Sequence, residues 1–447
     1  PPGDAPPGRR PPGPFRDSFW RSPIRGPWLT SVLGLVLLVG IPVLFATGLL
    51  SYASYNPNLA SVNDETPGKG LLGFYLFSWP THPIWLYRLN QGVHVTLGLA
   101  LVPILLFKLW SVLPKLFEWP PLHSLAHLLE RLSLIMVVGG GIFEFATGIL
   151  NIQTYYVFPG NFYALHFYGA WVFVAGFVIH VAVKLPVMIR ALRSHSMIEV
   201  LRTNLARTRP EPLDTGGLVA LSPSPPTISR RGVLAFAGGA SALVALLSVG
   251  QSLGGPLRRT ALLAPHGQEI GGVNGANPDF QVNTTAAGAG VTAADADVAT
   301  WKLTLLTEVI TGTGAPPGGT DTVKAVTTLT RAELLKMEQR TVSLPIACVE
   351  GWSTENQTWT GIRLSDLAAM AGVPEPSTML TRSLQHGGSF SRAVMSAEQT
   401  LDPESLLAFK VNGADLTLDH GYPARVIVPD APGVHNTKWV SSLTFRR

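Results

Sequence analysis

One cysteine, Cys348, serves the whole 447-residue chain, in the stretch IACVEGWS. A lone thiol has no intramolecular disulfide partner. It reads either as a buried small hydrophobe, as free cysteines commonly are, or as a thiolate that ligates a metal or attacks a substrate. Three histidines offer a second chemistry. His94, His166 and His180 fall within long apolar runs, where ionisable groups are expensive and usually functional. On one helix His180 would lie about 21 Å beyond His166 and about 40° round the axis. Two imidazoles near one face at such depths suit two stacked haems, each needing a second axial ligand from a facing helix. His94, early in its own run, meets that need for the haem of His166. Gly92, Gly98, Gly139, Gly140, Gly141, Gly169 and Gly176 would admit a macrocycle or tight helix packing. Glu144, in GGGIFEFATG, is either a polar contact between helices or a proton carrier at a quinone site.

The elements that must position these groups are membrane spans. Hydrophobic residues make up 46% of the chain and charged residues 14%, a composition that points to a membrane protein. Apolar runs near 28–50, 89–113, 132–152, 163–187 and 232–254 each suffice to cross a bilayer about 30 Å thick. Arg9, Arg10, Arg16, Arg21 and Arg25 precede the first run and place the N-terminus in the cytoplasm. Lys108, Lys115, Lys184, Arg190 and Arg193 then mark the inner ends of the second and fourth runs. Trp79, Trp85, Tyr155 and Tyr156 fall in outer loops and suit the lipid interface. The basic residues cluster beside apolar runs, so the net charge of +5 reads as orientation in lipid and excludes nucleic acid as a partner.

The expected organisation is a Pro/Gly-rich basic tail over 1–27, four spans over 28–193, a cytoplasmic linker over 194–229 and a fifth span over 230–254. An extracytoplasmic linker over 255–279 and an α+β domain over 280–447 follow. The chain starts at Pro, from which a further N-terminal piece is expected. WKLTLL and RVIVP read as strands, and TRAELLKMEQ and RLSDLAAMAG as helices. Ser229, Arg230 and Arg231 open the fifth run as SRRGVLAF. This resembles a twin-arginine export signal, with Val233 and Ala235 where that signal usually has Phe and Lys. Two arginines obeying the positive-inside rule would give the same pattern.

Two family resemblances follow. HVTLGLALVPILLFKLW and HFYGAWVFVAGFVIH make the first four spans similar to bacterial four-helix di-haem cytochromes b of the formate dehydrogenase gamma-subunit type. That implies haem b on His94, His166 and His180. In that family the first helix supplies the inner haem's partner, whereas this chain has GPWLT there. One haem is therefore expected, with a second open; His127, in AHLLER, is an interfacial histidine or a partner for it. The string CVEGWSTENQTWTGIRLSDLAAMAG resembles the sulfite oxidase family of molybdopterin enzymes, in the branch of the bacterial protein-methionine-sulfoxide reductase. That resemblance implies that Cys348 ligates molybdenum as the catalytic thiolate. DHGYPARVIVPDAPGVHNTKWV resembles the pterin-binding segment, which implies that His420, Arg425, Asn436, Thr437 and Lys438 hold the cofactor. DFQVNTT adds Asn283. An Arg fork and a Lys point charge suit a pterin phosphate. Arg363, Arg382 and Arg392 stand as candidates for a substrate anion, and the family's dimerisation domain is expected to be absent.

The expectation is thus a multi-pass protein of the bacterial inner membrane: a transmembrane four-helix cytochrome b bundle, a fifth anchor, and an extracytoplasmic sulfite-oxidase-type domain. It would transfer oxygen atoms to or from an S- or N-oxide or a sulfite-like compound, small or protein-bound, and exchange electrons with quinone or quinol. The rival reading is a redox-linked binding or sensor protein whose haem or molybdenum cofactor is structural.

Overall fold

The computed structural model describes residues 11–59, 77–119, 125–152, 157–214, 217–263, 280, 282, 284–308, 323–388 and 390–447, with no side chains at 125–127. Tyr155, Tyr156, Asn283 and the His127 side chain lie outside the described residues. Among the described residues the α-helices that come first are α1 (Pro27–Ser54), α2 (Leu86–Leu116), α3 (Leu125–Ile152), α4 (Phe162–Ser194), α5 (Met197–Arg202) and α6 (Arg230–Leu253). Among the described residues, five helices are long and apolar enough to cross a membrane. They outrun the apolar stretches that announce them; α4, for instance, continues through Arg190 and Arg193 to Ser194.

The chain divides into two compact units. The first comprises Pro1–Phe45, Leu97–Gly148 and Gly169–Leu246. Its core joins Leu29, Leu33, Leu37 and Ile41 of α1 to Leu101 and Ile104 of α2, Phe173 of α4 and Val233 of α6. The segment 194–229, expected as a linker, carries α5 and also Glu211, which belongs structurally to the bundle. The Glu211 carboxylate accepts the Trp28 N–H at 3.0 Å, a negative charge at the N-terminal end of α1 where the helix dipole favours it. It also pairs with Arg230 at 3.4 Å. A Cβ on Gly26 would collide with this carboxylate, so the glycine is a condition of the cap.

The second unit comprises Ala46–Thr96, Ile149–Tyr168 and Leu247–Arg447. It therefore joins the end of α1, the start of α2, the end of α3, the start of α4 and the end of α6 to the C-terminal domain. That domain holds β1 (Lys302–Glu308), β2 (Val323–Thr330), α7 (Arg331–Leu334), β3 (Arg340–Leu344), β4 (Gln357–Arg363), α8 (Leu364–Met370) and β5 (Thr378–Ser383). There follow β6 (Arg392–Ser396), α9 (Ala397–Leu401), β7 (Leu406–Val411), β8 (Ala414–Asp415), β9 (Arg425–Ile427) and β10 (Val440–Arg446). One sheet runs β2-β1-β10-β5-β6, with β1 and β10 parallel; the other runs β3-β4-β7-β8, with β9 also on β7. Leu303, Leu305, Ile362, Leu407, Phe409, Leu443 and Phe445 from both sheets meet in one core. Thr330 with Glu333, and Ser396 with Gln399, form reciprocal caps that start α7 and α9. TRAELLKMEQ, expected as a longer helix, yields only the four residues of α7.

Candidate active site

Cys348 sits in a short loop pinned at its base. Ala347 bridges to both Ser353 and Pro432, the Cys348 N–H donates to the Trp352 carbonyl at 2.9 Å, and the Gly351 N–H donates to the Cys348 carbonyl at 3.1 Å. Gly351 has φ +87°, a left-handed conformation that glycine adopts without strain. The loop packs into a second apolar cluster with Phe280, Ile346, Trp352 and Trp359. Burial, and then the Glu350 carboxylate, push the Cys348 thiol well above its usual range. A thiol so placed stays protonated unless a cation is brought to it, so the loop suits a metal ligand better than an unaided nucleophile.

Cys348 opens on a cleft that His420, Arg425 and Lys438 also line. His420 Nδ1 lies 2.7 Å from the Thr417 hydroxyl, and its ring lies 4.0 Å from that of Phe280. Burial, then the neighbouring Arg425, push its imidazole down to about 4, so it is neutral at pH 7. Arg425 Nη1 donates to the His420 carbonyl at 3.2 Å, and its guanidinium carbon lies 5.6 Å from the Trp359 ring centre. Its Nε has no partner among the described residues, and burial pushes it down to about 9. Lys438 Nζ donates to the Asp419 carbonyl at 3.0 Å and to the Thr284 carbonyl. Burial, then Arg425, push it down to about 7. Two cations thus line one cleft, and among the described residues neither forms an ion pair with a carboxylate. A buried charge of this kind calls for an anion from outside the chain.

Asn436 and Thr437 are buried beside the cleft and do not line it. The Asn436 amide oxygen accepts the Val428 N–H at 2.8 Å, and the Thr437 carbonyl accepts the Val426 N–H at 2.9 Å; the Thr437 hydroxyl has no partner among the described residues. Thr437 thus holds the β9 backbone and Asn436 the residue that follows it. None of the three candidate arginines lines the cleft: Arg363 forks on Asp366 at 3.0 and 3.1 Å, and Arg382 and Arg392 are cross-strand neighbours on β5 and β6. Sequence reading missed Phe280, Trp352 and Asp419 as lining residues. All three stand inside quoted motifs, Phe280 in DFQVNTT, which was their only signal.

Within the same unit, the His94 and His166 ring centres lie 6.3 Å apart at 79°. Thr47 Oγ1 lies 3.0 Å from His94 Nδ1, fixing one nitrogen as outer partners of ligating imidazoles do. Phe162 stacks on His166 at 5.0 Å. His180 belongs to the other unit, within electrostatic reach of Lys108, Lys184 and Glu130. Lys184 pairs there with Glu130, and Lys108 donates to the Thr30 carbonyl at 2.8 Å. Glu144, also in that unit, is buried, and its carboxyl lies over Gly169, where a Cβ would displace it.

Residues 283–447 match the family model of the oxidoreductase molybdopterin binding domain. The sulfite oxidase of Arabidopsis thaliana is 31% identical over 111 residues, covering 21% of this chain and 28% of that protein. The uncharacterized oxidoreductase YuiH of Bacillus subtilis (strain 168) is 32% identical over 102 residues, covering 23% and 50%. The chain thus spans half or less of the length of these relatives. The crystal structure of the sulfane dehydrogenase SoxCD from Paracoccus pantotrophus aligns at 24% identity and a TM-score of 0.27, over 34% of this chain and 39% of that one. Residues 283–447 are therefore similar to molybdopterin-binding oxidoreductase domains, with a sulfite oxidase among their relatives.

Proposed function

We propose that this chain is a membrane-anchored molybdenum oxidoreductase that carries out extracytoplasmic oxygen-atom transfer and exchanges electrons with quinone through b-type haem. One observation carries the reading: Cys348, His420, Arg425 and Lys438 share a single cleft, and among the described residues neither cation is ion-paired with a carboxylate, although Asp419 also lines the cleft and acts on Lys438. That donor set fits the group. Cys348 would hold the metal as a thiolate, and Arg425 and Lys438 would hold the pterin's phosphate, with neutral His420 as a hydrogen-bonding neighbour. Asn436 and Thr437 would brace this wall. Bound molybdopterin would supply two-electron oxygen-atom transfer. Reducing an S- or N-oxide takes up two electrons and two protons and releases water; oxidising a sulfite-like compound reverses that balance. The CVEGWS motif favours reduction.

His94 and His166 fit one haem. Their ring centres lie 6.3 Å apart, and both imidazoles would hold the iron of one b-type haem, which would supply one-electron transfer. His180 lies in a basic cluster with Lys108 and Lys184, which fits a polar contact at the inner end of α4 better than a second haem. Glu144 would carry the proton that accompanies each electron at the quinone site. The testing experiment is a panel of S-oxides, N-oxides and sulfite, run in both directions on purified protein whose molybdenum content is measured. Turnover of one class with molybdenum near one per chain is expected. Stoichiometric molybdenum without turnover of any class would favour the sensor reading, and absence of molybdenum would remove the enzyme reading.

A further inference from the structure

The loop that carries Cys348 is held by the membrane helices as well as by its own domain. The Val349 carbonyl accepts from Gln91 Nε2 of α2 at 2.6 Å. The Gly351 carbonyl accepts from the Ser252 hydroxyl of α6 at 2.6 Å. The Ser353 N–H donates to the Gln251 carbonyl at 3.0 Å, and the Ser353 carbonyl accepts from Arg258 at 2.5 Å. A Cβ on Gly351 would come 2.6 Å from Val95 Cβ, so the loop backbone lies directly on α2. A Cβ on Gly92 would come 2.6 Å from Ser252 Cβ; only because α2 and α6 approach this closely does Ser252 reach the loop. Gln91 and Ser252 are 3% and 6% exposed, and a buried amide or hydroxyl is costly unless it bonds. Other bonds of this kind fall elsewhere, from Tyr87 to Asp430 and from Asn56 to Gln399, but those from Gln91, Gln251, Ser252 and Arg258 all meet backbone groups between Val349 and Ser353, in the loop that bears the sole thiol.

We infer that the ends of α2 and α6 are part of the active site: Gln91 and Ser252 are positioning residues that fix the Cys348 loop. The inference rests on the reading of Cys348 as the metal ligand. It also supplies a bonded link to the second redox group. Gln91 and His94 lie one helical turn apart on α2, so the route from Cys348 runs through the Val349 carbonyl, one hydrogen bond and the Gln91 side chain to the turn bearing His94. The catalytic loop would then be ordered only where the bundle is present.

The test uses the full chain in detergent, purified free of molybdenum, and reads the rate at which a maleimide modifies Cys348, the only cysteine. Ser252→Ala and Gln91→Met, which keeps the volume but has no N–H to donate, should each speed modification about tenfold, the effect of losing one buried hydrogen bond on loop opening. Ser252→Thr, which retains the hydroxyl, should restore the wild-type rate. A thermal melt alongside separates loop release from global unfolding, because a purely structural role would lower the melt without selective exposure of the thiol. Equal modification rates in all variants would overturn the inference while leaving the metal site standing. Wild-type protein that never takes up molybdenum would instead remove the reading on which it rests.

Discussion

Arg425 and Lys438 line one cleft, and burial pushes the guanidinium down to about 9 and the ammonium down to about 7, with Arg425 acting further against Lys438. The cleft is thus destabilised by its own charges until an anion enters. Arg425→Met should raise the melting temperature of the cofactor-free protein, because it removes an unpaired buried charge. The same change should lower pterin content by at least about tenfold, as expected for the loss of charge-assisted hydrogen bonds. Pterin fluorescence after denaturation gives the second quantity. A lower melting temperature with normal pterin content would make Arg425 a structural residue.

Lys438 gives a pH dependence with a defined sign. Below about pH 7 it is protonated in both folded and unfolded chains, so the burial penalty is present in full. Between about 7 and the ordinary lysine value near 10.4, the unfolded chain keeps a proton that the folded chain has released, so stability rises with pH. Denaturant titrations of cofactor-free protein should show this rise across the window, and Lys438→Met should flatten it. Parallel pH curves for the two proteins would contradict the assignment.

Asp430 should act in the opposite sense. Trp79 Nε1 and the Tyr87 N–H donate to its carboxylate at 2.9 and 2.8 Å, yet burial dominates and pushes it up to about 7. Between the ordinary Asp value near 4 and about 7, the folded chain holds the extra proton, so stability falls as pH rises. Asp430→Asn should abolish that fall while keeping an oxygen to accept one of these bonds. A variant whose stability still drops between pH 4 and 7 would show that another group is responsible.

The histidine pair predicts a shared loss. His94→Ala and His166→Ala should each eliminate the same b-type signal in a reduced-minus-oxidised spectrum, and His180→Ala should retain it. A signal that survives loss of His94 but not of His180 would reverse the assignment. Glu144→Gln should slow quinol-coupled turnover and spare turnover with an artificial donor that reaches molybdenum directly; equal loss in both assays would return Glu144 to helix packing.

The long apolar runs made the five helices legible, since nothing but a helix satisfies some twenty apolar residues in lipid. Their ends were not, because Arg190 and Arg193 extend α4 beyond its apolar stretch at little cost. Glu211 read as a linker residue because its role, capping α1 at Trp28, spans 183 positions. In the cleft, Cys348, His420, Arg425 and Lys438 stood out because their chemistry is rare within short motifs. Phe280 stood in DFQVNTT beside Asn283 but was not singled out, since an aromatic on a cavity wall has the same sequence signature as one in a core. The Gln91–Val349 bond spans 258 positions and joins an amide to a backbone carbonyl, a contact that residue types do not announce.

The most direct test of the central claim is molybdenum content and substrate turnover in Cys348→Ser beside the wild type. A hydroxyl is a far poorer ligand than a thiolate for a soft site. The variant should keep its fold and haem spectrum, lose turnover by at least about a thousandfold (a barrier change near 4 kcal/mol), and hold less molybdenum. A Cys348→Ser protein that turns over substrate at the wild-type rate would contradict the account.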